Sequence, residues 1–204
     1  MRLFFGATLP DQTKNEIVSV QEILRPRLPN AKFEGSEKLH ITLQFIGDFR
    51  QDFVDRLFAS ALEELRNCPD QSPATEVVAM NYFPNEKTKR GIWLDCQDDG
   101  SLAVFANALR TASAKFGIVP ESRAFKPHIT IARLRETFER RSVASGFRGS
   151  TRIAESRASE DLQKFVGEGK LSVERFFPRG IALFESTLKS SGSEYRILNE
   201  YLLE

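Results

Sequence analysis

The chain has 204 residues and a formal net charge of +1, and 41% of its residues are hydrophobic. This length and apolar content allow one large domain or two small lobes with a packed core. The near-neutral charge argues against binding of nucleic acid through bulk electrostatics, so any such contact should be local, and no apolar run approaches the roughly 18 residues that a membrane span requires.

The first part of the chain predicts a strand, a helix, a strand and a second helix. Residues 2–9 are aromatic and β-prone and are ended by Pro10, which predicts a short strand. After a turn at residues 26–29, a strand through residues 40–47 carries the first of the two histidines. The apolar positions that predict the first helix are Ile17, Val20, Ile23 and Leu24, and those that predict the second are Phe53, Leu57, Phe58, Ala61, Leu62 and Leu65.

The second part of the chain has a similar order and then adds further strands. Residues 75–83 and 91–96 predict a hairpin with a polar, basic connection at 84–90. The apolar positions that predict the third helix are Leu102, Phe105, Leu109, Ala112 and Phe116. That helix ends at Gly117, and a strand with the second histidine follows Pro120. The strands predicted to close the fold are residues 171–177, 180–184 and 194–203.

The order of these elements favours an α+β fold with antiparallel sheets. A strand, a helix and a histidine-bearing strand occur in both parts of the chain, which two similar lobes around a shared cleft would explain. We predict a single domain over residues 1–204 with a basic insertion at about 136–169, where aliphatic residues are scarce. The insertion is most simply a solvated loop, and an RNA-contacting arm is the alternative. Its arginines are Arg140, Arg141, Arg148, Arg152 and Arg157.

Both histidines begin the same tripeptide, His-Ile-Thr, at His40 and at His128. Residues i and i+2 of a strand share a face, so each histidine stands beside its own threonine, Thr42 in the first motif and Thr130 in the second. One three-residue match has little specificity, and an ordinary half-buried strand explains it. The repetition at two strand-like sites favours a functional pair.

Two imidazoles can serve a phosphoryl transfer without a metal, because near neutrality one ring accepts a proton while the other donates one. The threonine hydroxyls and an arginine would hold the non-bridging oxygens, and Arg133 and Arg135 are the nearest candidates. A zinc site is the alternative, but two histidines without a third ligand or a Cys-x-x-Cys motif fall short of a tetrahedral set. We therefore predict neither a metal nor a cofactor.

Phe45 lies five residues after His40, so strict alternation places its ring on the buried face of the strand. A bulge, or the approach to Gly47, would instead turn the ring toward a ligand, where it could stack on a nucleobase. The pattern alone favours the core position.

The two cysteines, Cys68 and Cys96, predict free thiols in a reducing cytoplasm, because the N terminus has no signal-peptide pattern. No P-loop, Rossmann glycine fingerprint or Gly-x-Ser-x-Gly elbow is present in the sequence. Nucleotide hydrolysis by those routes is therefore unsupported.

The chain resembles the two-histidine phosphoesterases, and within them the LigT-like RNA 2′,3′-cyclic phosphodiesterases once called 2′-5′ RNA ligases. Five blocks in matching order carry the resemblance over nearly the whole length. They are MRLFF at 1–5, LHITLQFIG at 39–47, YFP at 82–84 before IWL at 92–94, FKPHITIAR at 125–133, and LFESTL at 183–188 with Tyr195. The family signature, a histidine with a threonine or serine two residues later, is filled twice. Residues 136–169 depart from the compact form of the family.

The resemblance implies two pseudo-symmetric lobes, each an antiparallel sheet flanked by helices, around a water-filled cleft. It also implies that Arg133 binds phosphate and that Phe45 lines the nucleoside site, which replaces the core position favoured by alternation. The implied activity is hydrolysis of a terminal 2′,3′-cyclic phosphate of RNA to a 2′-phosphomonoester, with reversible 2′-5′ ligation as a further reaction. Our hypothesis is that His128 activates the water and His40 protonates the departing 3′ oxygen, and the reverse assignment stays open.

The sequence leaves the substrate open, because the motifs recognise the phosphate and not the base. Small cyclic nucleotides and 2′-5′ oligonucleotides are alternatives to RNA ends. A non-catalytic RNA- or nucleotide-binding protein is a further alternative, against which both intact motifs argue. The expected partners are RNA ends or nucleotides that carry a 2′,3′-cyclic phosphate. We expect no membrane association, a monomer and a cytoplasmic location.

Overall fold

The computed structural model describes residues 1–69, 72–83, 91–119, 123–134, 172–190 and 192–203. Three helices and eight strands lie within these ranges. In chain order they are β1 (Arg2–Thr8), α1 (Asp11–Leu24), β2 (Ala31–Phe33), β3 (His40–Asp48), α2 (Val54–Arg66), β4 (Glu76–Phe83), β5 (Gly91–Gln97), α3 (Ser101–Ala114), β6 (His128–Leu134), β7 (Gly180–Lys189) and β8 (Gly192–Leu202).

The strands form one antiparallel sheet in the order β4-β5-β6-β3-β1-β7-β8, and β2 pairs with β6. Its two halves meet at β3 and β6, which share a single residue pair, Ile41 and Ile129. One lobe therefore contains β3, β1, β7 and β8, and the other contains β6, β5, β4 and β2. The predicted α+β class is confirmed, and the C-terminal strands close the lobe that the N-terminal strands begin.

One hydrophobic core joins the three helices to one face of the sheet. Alternation along β1 sends Leu3, Phe5 and Ala7 into this core. Phe4 points to the opposite face, where it packs with Phe184 in a separate small cluster. The sheet therefore has a helix-covered face and a second face that is free to form a cleft.

Some predicted elements need correction. Ile23 of α1 is 40% exposed rather than buried, and Phe53 belongs to a short 3₁₀ turn that precedes α2. Of the predicted strand 171–177, the structure describes residues 172–177, and among these only Phe176 pairs, through two backbone hydrogen bonds with Thr75. Pro178 lies two residues further on and has no N–H with which to continue a ladder, which explains why the pairing stops.

Two predicted connections lie outside the described residues, and two predicted strands are longer than expected. The connection at 84–90 and the basic insertion at 136–169 lie outside the described residues. Strand β7 continues beyond the predicted 180–184 to Lys189. Strand β8 begins at Gly192, two residues before the predicted 194–203. Gly192 has a φ of +117°, a backbone conformation that glycine adopts without strain.

Cys68 and Cys96 are both thiols rather than half-cystines, as the sequence predicts, and both are buried. Burial raises the pKa of the Cys96 thiol to about 12. In the described part of the chain, no helix combines the length and the apolar character needed to cross a bilayer.

Candidate active site

The site forms where β3 meets β6. Ile41 and Ile129 face each other across the two strands and are completely buried in the core. In the antiparallel register of this pair, the residue before Ile41 is aligned with the residue after Ile129, so His40 is aligned with Thr130. By the same register, Thr42 is aligned with His128. The local two-fold axis of the ladder therefore relates one His-Ile-Thr motif to the other. Both polar pairs lie on the face opposite the isoleucines.

A cleft of about 390 Å³ is lined by both histidines and both threonines, and Arg133 and Phe45 line it as well. The fold thus brings all six residues singled out from the sequence to one cavity. A larger cavity of about 900 Å³, beside Phe53 and Lys115, contains neither histidine, so volume alone does not locate the site.

The two imidazoles are held in the same way. His40 Nδ1 lies 2.6 Å from the carbonyl oxygen of Lys38, and His128 Nδ1 lies 2.8 Å from that of Lys126. A carbonyl oxygen only accepts hydrogen bonds, so each Nδ1 carries a proton and donates it. Each Nε2 is therefore left to exchange a proton with a substrate. His40 Nε2 lies 3.0 Å from Thr42 Oγ1, whose hydroxyl donates to it while the ring is neutral.

His40 is enclosed by aromatic side chains. Its ring centroid lies 4.9 Å from that of Phe4, 5.4 Å from Phe184 and 5.4 Å from Tyr195. Burial lowers the pKa of His40 to about 4; the hydrogen bond to the Lys38 carbonyl opposes this shift, and the electrostatic influence of His128 and Arg133 reinforces it. The His40 imidazole is neutral at pH 7.

His128 has a different neighbourhood. Its ring centroid lies 4.3 Å from that of Trp93, which in turn stacks on Phe83 at 5.4 Å. Trp93 and Tyr195 both line the cleft, although the sequence indicated them only as parts of matching blocks and not as site residues. Trp93 pairs with Thr130 across β5 and β6, so its position follows from a strand register that a single sequence does not reveal.

Arg133 is anchored by an ion pair. Its Nε lies 2.8 Å from Glu34 Oε1, and the Glu34 side chain is only 12% exposed. The amide of Gln21 donates to the backbone oxygens of Glu34 and Ile131, which fixes the segment that carries the carboxylate. The ion pair uses Nε, so both Nη groups of Arg133 stay available for an anion at the rim of the cleft. The other candidate, Arg135, lies outside the described residues.

Phe45 is 54% exposed and lines the cleft, so the core position that alternation favours is wrong. The reason is a pair of register shifts between β1 and β3, one on each side of the Phe4–Phe45 pair. Extra residues in β3 reverse which side chains face the core, and Leu43 and Gln44 are consecutive buried residues as a result. The bulge that the sequence left as an alternative is present.

Among the residues that the structure describes, no three His, Cys, Asp or Glu side chains are grouped closely enough to hold a metal ion. The groups that the cleft offers are two imidazoles, two hydroxyls and a guanidinium. This set can move protons and bind an anion.

An antiparallel α+β fold with two His-x-Thr strands around one cleft defines the two-histidine phosphoesterase class. The chain belongs to the 2′-5′ RNA ligase superfamily, whose sequence profile matches residues 9–161. It is 28% identical over 181 residues to the RNA 2′,3′-cyclic phosphodiesterase of Aquifex aeolicus (strain VF5), which covers 84% of this chain and 81% of the relative. It is 26% identical over 204 residues to the enzyme of the same name from Methanocaldococcus jannaschii, which covers 98% of this chain and 100% of the relative. The predicted family and class of enzyme are confirmed by these relatives.

Solved structures agree with the fold. The crystal structure of TT0787 of Thermus thermophilus matches with a TM-score of 0.68 at 24% identity, which covers 100% of this chain and 98% of that one. Escherichia coli LigT in complex with 3′-AMP matches with a TM-score of 0.64 at 19% identity, over 99% of this chain and 97% of that one. At these identities the likeness concerns the fold alone.

Proposed function

We propose that this protein hydrolyses the terminal 2′,3′-cyclic phosphate of RNA to a 2′-phosphomonoester. One observation carries the proposal: the Ile41–Ile129 pair relates two His-x-Thr motifs by a local two-fold axis on one wall of a single cleft. A cyclic phosphodiester needs a base for the attacking water and an acid for the departing oxygen, and this arrangement offers one imidazole for each. The names of the relatives supply the substrate class.

In the proposed reaction, His40 is the general base and His128 the general acid. The pKa of His40 lies near 4, so its Nε2 carries no proton at neutral pH. This Nε2 accepts from Thr42 Oγ1 in the structure, and it can accept a proton from water once that hydroxyl turns to a phosphoryl oxygen. The water oxygen bonds to phosphorus, the bond from phosphorus to O3′ breaks, and His128 Nε2–H protonates O3′. The products are a 2′-phosphomonoester and a free 3′-hydroxyl. This assignment reverses our sequence-based hypothesis, because burial disfavours the protonated ring that an acid requires.

The remaining groups stabilise the negative charge that builds up on the phosphoryl oxygens. Thr42, Thr130 and Arg133 line the same cleft and offer two hydroxyl donors and a guanidinium. Phe45 is exposed in the same cleft as His40 and offers an aromatic face for the nucleobase. No step of this reaction requires a metal, so we propose a metal-independent mechanism.

The same groups allow a reverse transfer. A 5′-hydroxyl that replaces water at the cyclic phosphate would form a 2′-5′ linkage, and in dilute solution hydrolysis dominates because water is in large excess. We further propose a monomeric enzyme of the cytoplasm, a reducing compartment that suits two cysteines outside any disulfide.

The experiment is a substrate panel with product analysis. We expect RNA oligonucleotides and cyclic mononucleotides with a 2′,3′-cyclic phosphate to yield 2′-phosphates, identified against authentic 2′- and 3′-phosphate standards, and EDTA to leave the rate unchanged. A 3′-phosphomonoester RNA is the control and should not react. A 3′-phosphate product, or activity lost in EDTA and restored by a divalent metal, would refute the mechanism. Preference for 2′-5′ oligonucleotides would move the substrate assignment to that class.

Gly6 offers a test of His40 placement. A Cβ at this position would lie 3.1 Å from His40 Cδ2 and 3.2 Å from a Phe184 ring carbon, so alanine would push the imidazole outward. We expect Gly6→Ala to lower kcat about tenfold, since small misplacements of a catalytic group are costly, and to change stability by about 1 kcal/mol.

Gly117→Ala is the matched control for this measurement. Gly117 has a φ of +76°, and none of the described residues has an atom within 4 Å of an added Cβ. The substitution therefore strains the backbone at a position far along the chain from β1. We expect a lower melting temperature with an unchanged kcat. Equal kcat values for Gly6→Ala and the unmodified protein would show that the ring position tolerates this shift.

A further inference from the structure

A second cavity of about 280 Å³ adjoins the catalytic cleft. The two cavities share Thr42, Phe45, Trp93 and His128 as lining residues. A substrate with its cyclic phosphate at the histidines can therefore continue into the second cavity without crossing the hydrophobic core. The shared residues form the boundary across which a chain of nucleotides would run.

The second cavity has a strongly positive lining. Arg110 of α3, Arg123 and Lys126 all line it, and no Asp or Glu is among its described lining residues. We call the part of the second cavity that these three residues line the cationic groove. The chain as a whole is nearly neutral, with 29 Lys and Arg against 28 Asp and Glu, so three cations without a carboxylate are a local excess. Such an excess favours binding of an anion.

Two buried N–H donors at the groove and its boundary have no acceptor among the described residues. Arg110 donates from Nη1 to Asn107 Oδ1 at 3.2 Å, but its Nε is buried and has no partner among the described residues. Trp93 Nε1, on the boundary with the catalytic cleft, is likewise buried without a partner in the described part of the chain. Buried N–H groups are normally satisfied, so both donors point to a ligand that brings acceptor oxygens.

We propose that the cationic groove binds the phosphate on the 5′ side of the terminal nucleotide, so that the enzyme prefers substrates with that phosphate over a bare cyclic nucleoside. The inference rests on the proposed function, which places the cyclic phosphate at the two histidines. A guanidinium binds phosphate oxygens through paired hydrogen bonds, and Arg110 and Arg123 offer two such groups on one side of the cleft. Phe45 lines both cavities and offers an aromatic face for the nucleobase between the two phosphates.

The test compares three substrates that each end in a 2′,3′-cyclic phosphate: a nucleoside, the same nucleoside with a 5′-phosphate, and a dinucleotide. We expect kcat/KM to be at least about tenfold higher for both phosphate-bearing substrates than for the bare nucleoside, the scale of one charged hydrogen bond. In Arg110→Gln and in Arg123→Gln this ratio should fall to about 1–3. If only the dinucleotide gains, stacking of the upstream base explains the preference and the proposal fails.

Arg66→Gln is the matched control, because Arg66 is an exposed arginine of α2 that lines neither cavity. It should leave all three kcat/KM values and their ratios unchanged. A ratio near 1 in the unmodified protein, or a ratio that neither groove variant lowers, would overturn the inference while the proposed function stands. If none of the three substrates reacts, the proposed function fails first.

Equilibrium binding tests the groove without turnover. We expect the unmodified protein to bind the dinucleotide product with a steeper salt dependence than the single nucleotide, by a slope of about 0.7 in log K against log salt concentration. Arg110→Gln should remove this difference. Equal slopes in the unmodified protein would contradict a second phosphate contact.

Discussion

Replacement of either histidine by alanine is expected to lower kcat on an RNA 2′,3′-cyclic phosphate by about 10²–10⁴-fold, the range for loss of a general acid or base. Both rings line one cleft and each is held at Nδ1 by the carbonyl two residues before it, so neither substitutes for the other. The double variant should be little slower than the slower single variant, because the two groups act in one step.

Structural controls separate a catalytic loss from unfolding. His128→Ala should melt within a few degrees of the unmodified protein, and its circular dichroism spectrum should be unchanged. Leu188→Ala, which truncates a side chain of β7 that is 79% exposed, should leave kcat unchanged. Near-full activity in either histidine variant would remove the basis of the proposed reaction.

The roles of the two histidines are expected to separate on a diester with a 4-nitrophenolate leaving group. This leaving group departs without a proton, so loss of the general acid costs little, whereas loss of the base still slows the attack of water. The fold-reduction in kcat caused by His128→Ala should therefore be at least about 10² times smaller on the 4-nitrophenyl diester than on RNA. His40→Ala should lose similar factors on both substrates. The opposite pattern would restore His128 as the base.

The pH dependence of His128→Ala tests the same assignment independently. The pH profile of kcat/KM reports groups of the free enzyme, and the pKa of His40 is about 4 when His128 is present. His128 contributes to lowering this pKa, so in His128→Ala it should lie above that value. A base works in its neutral form, so the residual activity should rise as the pH passes through the pKa of His40 and stay level above it. If His40 acted as the acid, the activity would instead fall above that pH.

The local features of the protein follow from the order of its residues alone. Hydrophobic periodicity is a property of neighbouring residues, so it predicts the three helices and most strands, as well as the shared face of His40 and Thr42. The repeated His-Ile-Thr motif marked both strands of the site before any contact was known. The same local logic failed at Phe45, because a bulge depends on the partner strand and not on the strand that contains it.

The way in which remote segments meet is fixed by the fold and not by any local pattern. The single Ile41–Ile129 pair sets the register that places the two motifs about a local two-fold axis. Residues that lie more than a hundred positions later in the chain, Phe184 and Tyr195, enclose His40 and help to keep it neutral. Strand pairing fixes these neighbours, and pairing is a free-energy balance over the whole sheet. A protonation state therefore depends on long-range packing that the residues around His40 do not encode.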